Sequence, residues 1–145
     1  MIQRIQTIFL ILTAGVFGSL FKLPFATSDK PSAQFLSDQV YDINDHPALI
    51  ALTALGALIA IVSIFMFRNR KLQLKLGYLI IVMAILLPGV AFLLFTKESA
   101  SIDPTVHVVD QAGMFLPAAA ILFAAIANYF IRKDDKLVKS MDRLR

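Results

Sequence analysis

Two histidines, His46 and His107, are the side chains best suited to chemistry in this chain of 145 residues. Carboxylates lie near both of them in the sequence: Asp42, Asp45, Asp103 and Asp110. Imidazole and carboxylate groups are ligands that several divalent metals accept, so one hypothesis is a metal site that joins the two segments. The spacing of these residues does not require a metal, and the alternative, which we favour, is that they are solvated loop residues.

Other catalytic chemistry has little support in the sequence. The chain has no cysteine, which excludes a disulfide framework, a thiolate metal site and a cysteine nucleophile. It also has no glycine-rich phosphate loop, no pair of histidines on one helix face and no serine–base arrangement. We therefore predict that the protein is not an enzyme, that it uses no cofactor and that nucleic acid is not a partner.

Four apolar stretches dominate the chain, at about residues 5–21, 48–67, 76–95 and 112–131. A helix needs about 20 mostly apolar residues to cross the hydrocarbon core of a membrane, which is about 30 Å thick. The apolar fraction of 58% also exceeds the roughly 45–50% of soluble domains. We predict an all-α membrane protein in which residues 1–145 form a single domain, a bundle of four transmembrane helices.

The middle parts of these four stretches contain no ionisable side chain. Their polar residues are Thr13, Ser19, Thr53, Ser63 and Asn128. Ionisable residues inside a membrane usually mark ion paths and proton relays. Without such residues, ion-coupled transport has little support.

Most of the 14 lysines and arginines fall on one side of the predicted membrane. That side holds the N-terminal stub, the second connection and the tail of residues 132–145, with Arg4, Arg68, Arg70, Lys71, Lys75, Arg132, Lys133, Lys136, Lys139, Arg143 and Arg145. The other two loops hold only Lys22, Lys30 and Lys97. Because basic loops stay in the cytoplasm, we predict that both termini are cytoplasmic. The same basic residues are the predicted contacts for anionic lipid or for a partner protein.

Small side chains in the first two stretches indicate where helices pack closely. The first stretch offers Gly15, Gly18 and Ser19, and the second offers Gly56 and Ala60. In lipid, helices associate through such small residues. They form either a seam for a dimer or partner, or the packing surface within the bundle, and we favour the second interpretation.

Pro88 lies in the middle of the third stretch. Proline removes a backbone hydrogen bond and clashes with the preceding turn, so we predict a kink there. A kink can serve as a hinge or a binding site in a transporter. The alternative, which we favour, is a bend that the helix simply tolerates.

The two outer loops contain short segments with the composition of strands, at residues 34–36, 39–41 and 106–109. We predict that they form a small sheet that caps the outer face, and an irregular cap is the alternative. On the other side, Leu137, Met141 and Leu144 recur with helical spacing in the basic tail. We expect the fourth helix to continue into this tail, which would contact anionic lipid or serve as a docking face.

Three segments of the chain resemble a known family. They are the start MIQRIQT (Met1 to Thr7), the basic turn FRNRKLQ (Phe67 to Gln73) and the end IRKDDKLVKSMDRLR (Ile131 to Arg145). Together they resemble a small inner-membrane family of Bacteroidota that is classified as a domain of unknown function, over the whole chain. The resemblance implies a bacterial inner-membrane location and a four-helix shape, and it assigns no activity to any residue.

Three functions fit these features. The leading hypothesis is a non-catalytic accessory or structural subunit of a bacterial inner-membrane complex, whose partners are membrane lipids and other inner-membrane proteins. The second is a small transporter or channel, formed by a homo-oligomer around the third helix. The third is a lipid-binding or envelope-sensing protein that acts through its outer cap.

Overall fold

A computed structural model of the chain describes residues 2–31, 35–99 and 106–142. These residues form four α-helices: α1 (Ile2–Ser19), α2 (Pro47–Phe65), α3 (Arg70–Ser99) and α4 (Leu116–Asp142). The helices pack around a ring in chain order, with α1 against α2 and α4, and α3 against α2 and α4. We call the end of the bundle that carries the loops between α1 and α2 and between α3 and α4 the cap end, and the opposite end the basic end.

Three of the helices contain segments long and apolar enough to cross a membrane: Pro47–Phe65, Arg70–Lys97 and Ala112–Ser140. Among the residues whose side chains the structure describes, the apolar segment of α1 is Ile5–Ser19. The prediction of four helices is confirmed, and three of them are long and apolar enough to span a membrane.

The third and fourth helices extend further at the basic end than the apolar stretches alone indicate. The third helix begins at Arg70 instead of about residue 76, because the Asn69 side chain accepts a hydrogen bond from the Leu72 N–H at 3.2 Å and caps the new helix. The fourth helix continues without interruption through the tail to Asp142. The third helix is also continuous through Pro88.

The bundle packs small side chains beside large apolar ones such as Leu10 and Phe17 in its interior, and it exposes further large apolar side chains on its outside. Its buried interior includes Gly56, Ala60, Ala84, Ala120, Ala124 and Ala127. The outer helix faces carry Leu58, Ile85, Phe92, Leu93 and Leu122, each more than half exposed. A soluble bundle carries mostly polar side chains on its outer faces, so these exposed apolar side chains suit a protein that is surrounded by lipid.

A three-stranded antiparallel sheet covers the cap end. It comprises β1 (Ala26–Ser28), β2 (Val40–Tyr41) and β3 (Val108–Asp110), in the order β2-β1-β3. Thr27 pairs with Val40 on one side and with Val109 on the other. The predicted sheet between the two loops is thus confirmed, but the central strand β1 was not predicted.

One of the predicted strand segments was wrong. Phe35 lies in a turn and Leu36 makes a single isolated bridge, while Gln34 lies outside the described residues. The reason is the turn that follows, where Gln39 adopts a positive φ of 67° and its carbonyl accepts from the Ser28 N–H. This left-handed residue ends the turn and starts β2 at Val40.

An aromatic cluster attaches the cap to α3. The buried Tyr41 ring packs at 5.7 to 5.9 Å from the rings of Phe25, Phe35 and Phe95. Its hydroxyl donates a hydrogen bond to the carbonyl of Ala91 at 2.8 Å. Because Ala91 belongs to α3, this contact joins a strand of the cap directly to the bundle.

Candidate functional site

Four polar side chains are buried in the bundle on its basic side, one from each helix. They are Gln6 on α1, Ser63 on α2, Gln73 on α3 and Asn128 on α4, and none is more than 4% exposed. We call this group the amide layer. Buried polar groups in a bundle of alanine, glycine and leucine are costly unless they are hydrogen-bonded, so their partners decide what the layer does.

One hydrogen bond joins two members of the amide layer, and a close contact places a third member, Asn128, against α3. The Gln73 side-chain Nε2 donates to the Ser63 carbonyl at 3.1 Å. One turn further along α3, the backbone of Gly77 lies against the carboxamide of Asn128, and a Cβ at Gly77 would be only 1.9 Å from Asn128 Oδ1. Gly77 therefore allows α3 and α4 to approach at the layer.

Aromatic contacts between α1 and α4 place Gln6 at the same end of the bundle. The Phe9 ring lies 6.3 Å from the ring of Phe123 and 6.0 Å from that of Phe130. Phe9 thus lies beside the part of α4 between these two residues. Gln6 is one helical turn closer to the basic end, which brings it to the level of Asn128.

Most of the polar atoms in the amide layer lack a hydrogen-bond partner among the residues that the structure describes. They are Gln6 Nε2 and Oε1, Ser63 Oγ, Gln73 Oε1, and Asn128 Nδ2 and Oδ1. Each buried atom that stays unpaired costs about 1–3 kcal/mol. Together these costs are comparable with the whole stability of a typical domain, about 5–15 kcal/mol, so a dry and unpaired layer would be difficult to maintain.

Two buried threonines show how the same helices satisfy a polar group elsewhere. Thr13 donates to the carbonyl of Phe9, and Thr53 donates to that of Leu49, both at 2.8 Å within their own helices. The longer carboxamides of the amide layer make no such local bond. Its unpaired atoms are therefore a specific feature of this end of the bundle.

Sequence reasoning identified only part of the amide layer. It noted Ser63 and Asn128 as polar residues but missed Gln6, which lies at the start of the first apolar stretch, and Gln73, which precedes the third. A signal was present, because Gln6 precedes the buried Leu10, Thr13 and Phe17 at helical spacing. A glutamine on the buried stripe of a helix indicates a buried polar group.

Three of the predicted basic contact residues interact within the chain. Arg70 Nε lies 2.7 Å from Asp134 Oδ2, which joins α3 to α4 at mostly buried positions. The Arg132 guanidinium lies over the Tyr78 ring at 5.3 Å, and Lys139 pairs with Asp135 one turn away.

The other basic residues whose side chains the structure describes at this end are exposed. They are Arg68, Lys71, Lys75, Lys133 and Lys136. The predicted contacts Arg143 and Arg145 lie outside the described residues, as does Leu144, and so do the side chains of Arg4 and Met141.

The two histidines have separate surroundings in the cap. His46 Nδ1 accepts a hydrogen bond from the Ala48 N–H at 3.1 Å and so caps α2. The backbone N–H of His107, an exposed residue, donates to Asp29 at 3.0 Å. Within the described part of the chain, no three histidine, aspartate or glutamate side chains are grouped to hold a metal ion. Asp103 lies outside that part.

The small residues of the first two helices differ in their surroundings. Gly56 faces the Phe17 ring, where a Cβ would be 2.6 Å from the nearest ring carbon, and Ala60 is fully buried. Gly15 and Gly18, by contrast, are exposed, and a Cβ at either position would meet nothing within 4 Å. Ser19 is half-buried and its hydroxyl donates to the carbonyl of Val16.

Comparisons with known proteins give one family. No curated protein and no solved structure matches the chain. A family model described as a domain of unknown function (DUF4293) matches residues 2–144, nearly the whole chain. The protein therefore belongs to this family, DUF4293.

Proposed function

We propose that the protein is a non-catalytic accessory or structural subunit of a membrane-protein complex in the bacterial inner membrane. The insertion of the bundle into a membrane is supported by the large apolar side chains that are exposed on its outer faces. Lipid surrounds the outer faces, and the helices hold together through their small residues.

In this proposal the basic end faces the cytoplasm, together with both termini. The exposed cations Arg68, Lys71 and Lys133 at this end support that orientation. Exposed acids at the cap end, including Asp29 and Asp110, agree with it. The exposed cations contact anionic lipid headgroups, each contributing about 1 kcal/mol near the surface.

We propose a protein partner because one face of α1 is open. Gly15 and Gly18 lie one turn apart on this face, with open space where their side chains would be. Such a shallow face allows a second transmembrane helix to approach closely.

A pull-down tests this function. A tagged copy at native expression level is extracted in mild detergent, and its partners are identified by mass spectrometry. We expect a stoichiometric set of membrane proteins. Gly15→Leu fills the open face and should lower their recovery about tenfold, equivalent to about 1.4 kcal/mol of association free energy.

Ala54→Leu is the matched control, because Ala54 is also a small exposed residue on a helix of the bundle. It should leave recovery unchanged. Recovery of the protein alone would refute the subunit role, and equal losses for the two variants would refute the role of α1. Recovery of a second, differently tagged copy as the only partner would replace the accessory role with a homo-oligomer.

A further inference from the structure

We infer that the amide layer is a hydration site, a small polar site within the bundle that binds water between all four helices. Gln6, Ser63, Gln73 and Asn128 supply its hydrogen-bonding groups. This inference concerns the interior of the bundle, and it does not depend on the partner proposed for α1.

The unpaired atoms define the chemistry of the guest. The carboxamide oxygens of Gln6, Gln73 and Asn128 require donors, and the amide nitrogens of Gln6 and Asn128 require acceptors. The Ser63 hydroxyl can do both. A guest that both donates and accepts satisfies this mixed set, and water is the smallest such molecule. A buried water typically makes about three hydrogen bonds to polar groups that otherwise lack partners.

The absence of net charge favours a neutral guest over an ion. None of the four side chains of the amide layer is ionisable. Arg70 lies one turn before Gln73, and it is paired with Asp134, so the two charges compensate each other. An anion or a cation in the amide layer would therefore have no opposite charge within it.

The position of the amide layer explains how water reaches it. Gln73 is three residues from Arg70, which corresponds to about 4.5 Å along the helix axis. The far side of the layer is closed by the fully buried Leu10, Ile80 and Ala124. Because the polar side chains are almost completely shielded, water enters when α1, α3 and α4 separate slightly at the basic end.

Cysteine reactivity tests the hydration site, since the chain has no native cysteine. Ser63→Cys exchanges a hydroxyl for a thiol and leaves the three carboxamides in place. Thr53→Cys is the matched control, because Thr53 is equally buried on the same helix but its hydroxyl is bonded to Leu49. The full chain in membranes is treated with a small methanethiosulfonate reagent, which reacts with the thiolate form.

We expect Ser63→Cys to react at least about tenfold faster than Thr53→Cys, a barrier difference of about 1.4 kcal/mol. Adding Asn128→Leu should remove this difference, and Gln73→Leu serves the same purpose if the first double variant does not fold. Equal rates for the two single variants would overturn the inference. Fast reaction of Ser63→Cys that persists in both double variants would also overturn it, because the water would not depend on the layer.

A measurement on the unmodified chain provides a second test. In solid-state NMR on bilayer samples, magnetisation is transferred from water protons to the side-chain nitrogens of Gln6 and Asn128. We expect transfer to both side chains and none to the backbone nitrogen of the buried Ala124. If neither carboxamide receives magnetisation from water, the layer is dry and the inference fails.

Discussion

Gly77 has no side chain at the point where α3 passes the carboxamide of Asn128. A Cβ there would lie within 1.9 to 2.8 Å of all three outer atoms of that group. Glycine is thus required at this position by close packing, and no positive φ is involved. Because α3 and α4 approach so closely at Gly77, a methyl group in place of the glycine hydrogen would change how these two helices pack at the amide layer.

We predict that Gly77→Ala destabilises the bundle by about 1–3 kcal/mol, because the new methyl group forces Asn128 or α4 to move. The measurement is thermal unfolding in detergent, followed by the loss of helical circular dichroism.

Gly89→Ala is the control in the same helix, where a Cβ meets nothing within 4 Å. Alanine favours a helix over glycine by up to about 1 kcal/mol, so this variant should be as stable as the parent or more so. Equal thermal stability of Gly77→Ala and Gly89→Ala would show that α3 and α4 are not in close contact at Gly77.

Single residues also show how far the sequence predicts a site. Asn128 and Ser63 were recognised as polar groups within apolar stretches. Gln6 and Gln73 lie near the ends of their helices, where polar side chains usually reach water, so their burial depends on how the helices tilt and meet. How the helices tilt and meet is a property of the packed bundle, and hydropathy alone does not predict it.

At the scale of elements, the outer cap shows which strands composition can predict. Val40–Tyr41 and Val108–Asp110 contain the β-branched and aromatic residues that favour strands. The central strand, Ala26–Ser28, has mostly small side chains and was missed. It becomes a strand because it pairs on both sides, so its structure comes from its neighbours more than from its own composition.

The connection between α3 and α4 at the basic end depends on an ion pair. Arg70 and Asp134 are 22% and 14% exposed at their side chains, so water only partly screens the contact. Arg70 also occupies the first residue of α3, where the helix dipole disfavours a positive charge. The pair with Asp134 offsets this unfavourable position.

A charge exchange tests this pair. We predict that Arg70→Asp and Asp134→Arg each lower the free energy of unfolding by about 1 kcal/mol, since each places two like charges side by side. The double variant should recover the loss, and it should gain slightly more because an aspartate at the start of α3 suits the helix dipole. Chemical denaturation in detergent measures all three free energies.

Lys139→Gln is the control, since the pair of Lys139 with Asp135 is much more exposed. Its effect should stay within about 0.5 kcal/mol. If the double variant is no more stable than the single variants, the two side chains do not interact.

At the scale of the whole molecule, hydropathy predicts most of the architecture. The four apolar stretches correspond to the four helices. Each helix is apolar along most of its length, so a hydropathy profile detects it. Hydropathy does not show that Gly15 and Gly18 face outward while Gly56 faces inward. Those differences depend on the rotation of each helix about its axis, which the close contacts between helices determine.

In the orientation that we propose, the bundle crosses the membrane with its basic end in the cytoplasm. Single cysteines at Asp38, Asn69 and Ser140 test it directly, because all three residues are exposed and the chain has no other cysteine. Intact spheroplasts are treated with a membrane-impermeant thiol reagent, and lysed cells serve as the control for reactivity. We predict that only Asp38→Cys is labelled in intact spheroplasts, whereas all three are labelled after lysis. Labelling of Asn69→Cys or Ser140→Cys in intact spheroplasts would contradict the proposed orientation.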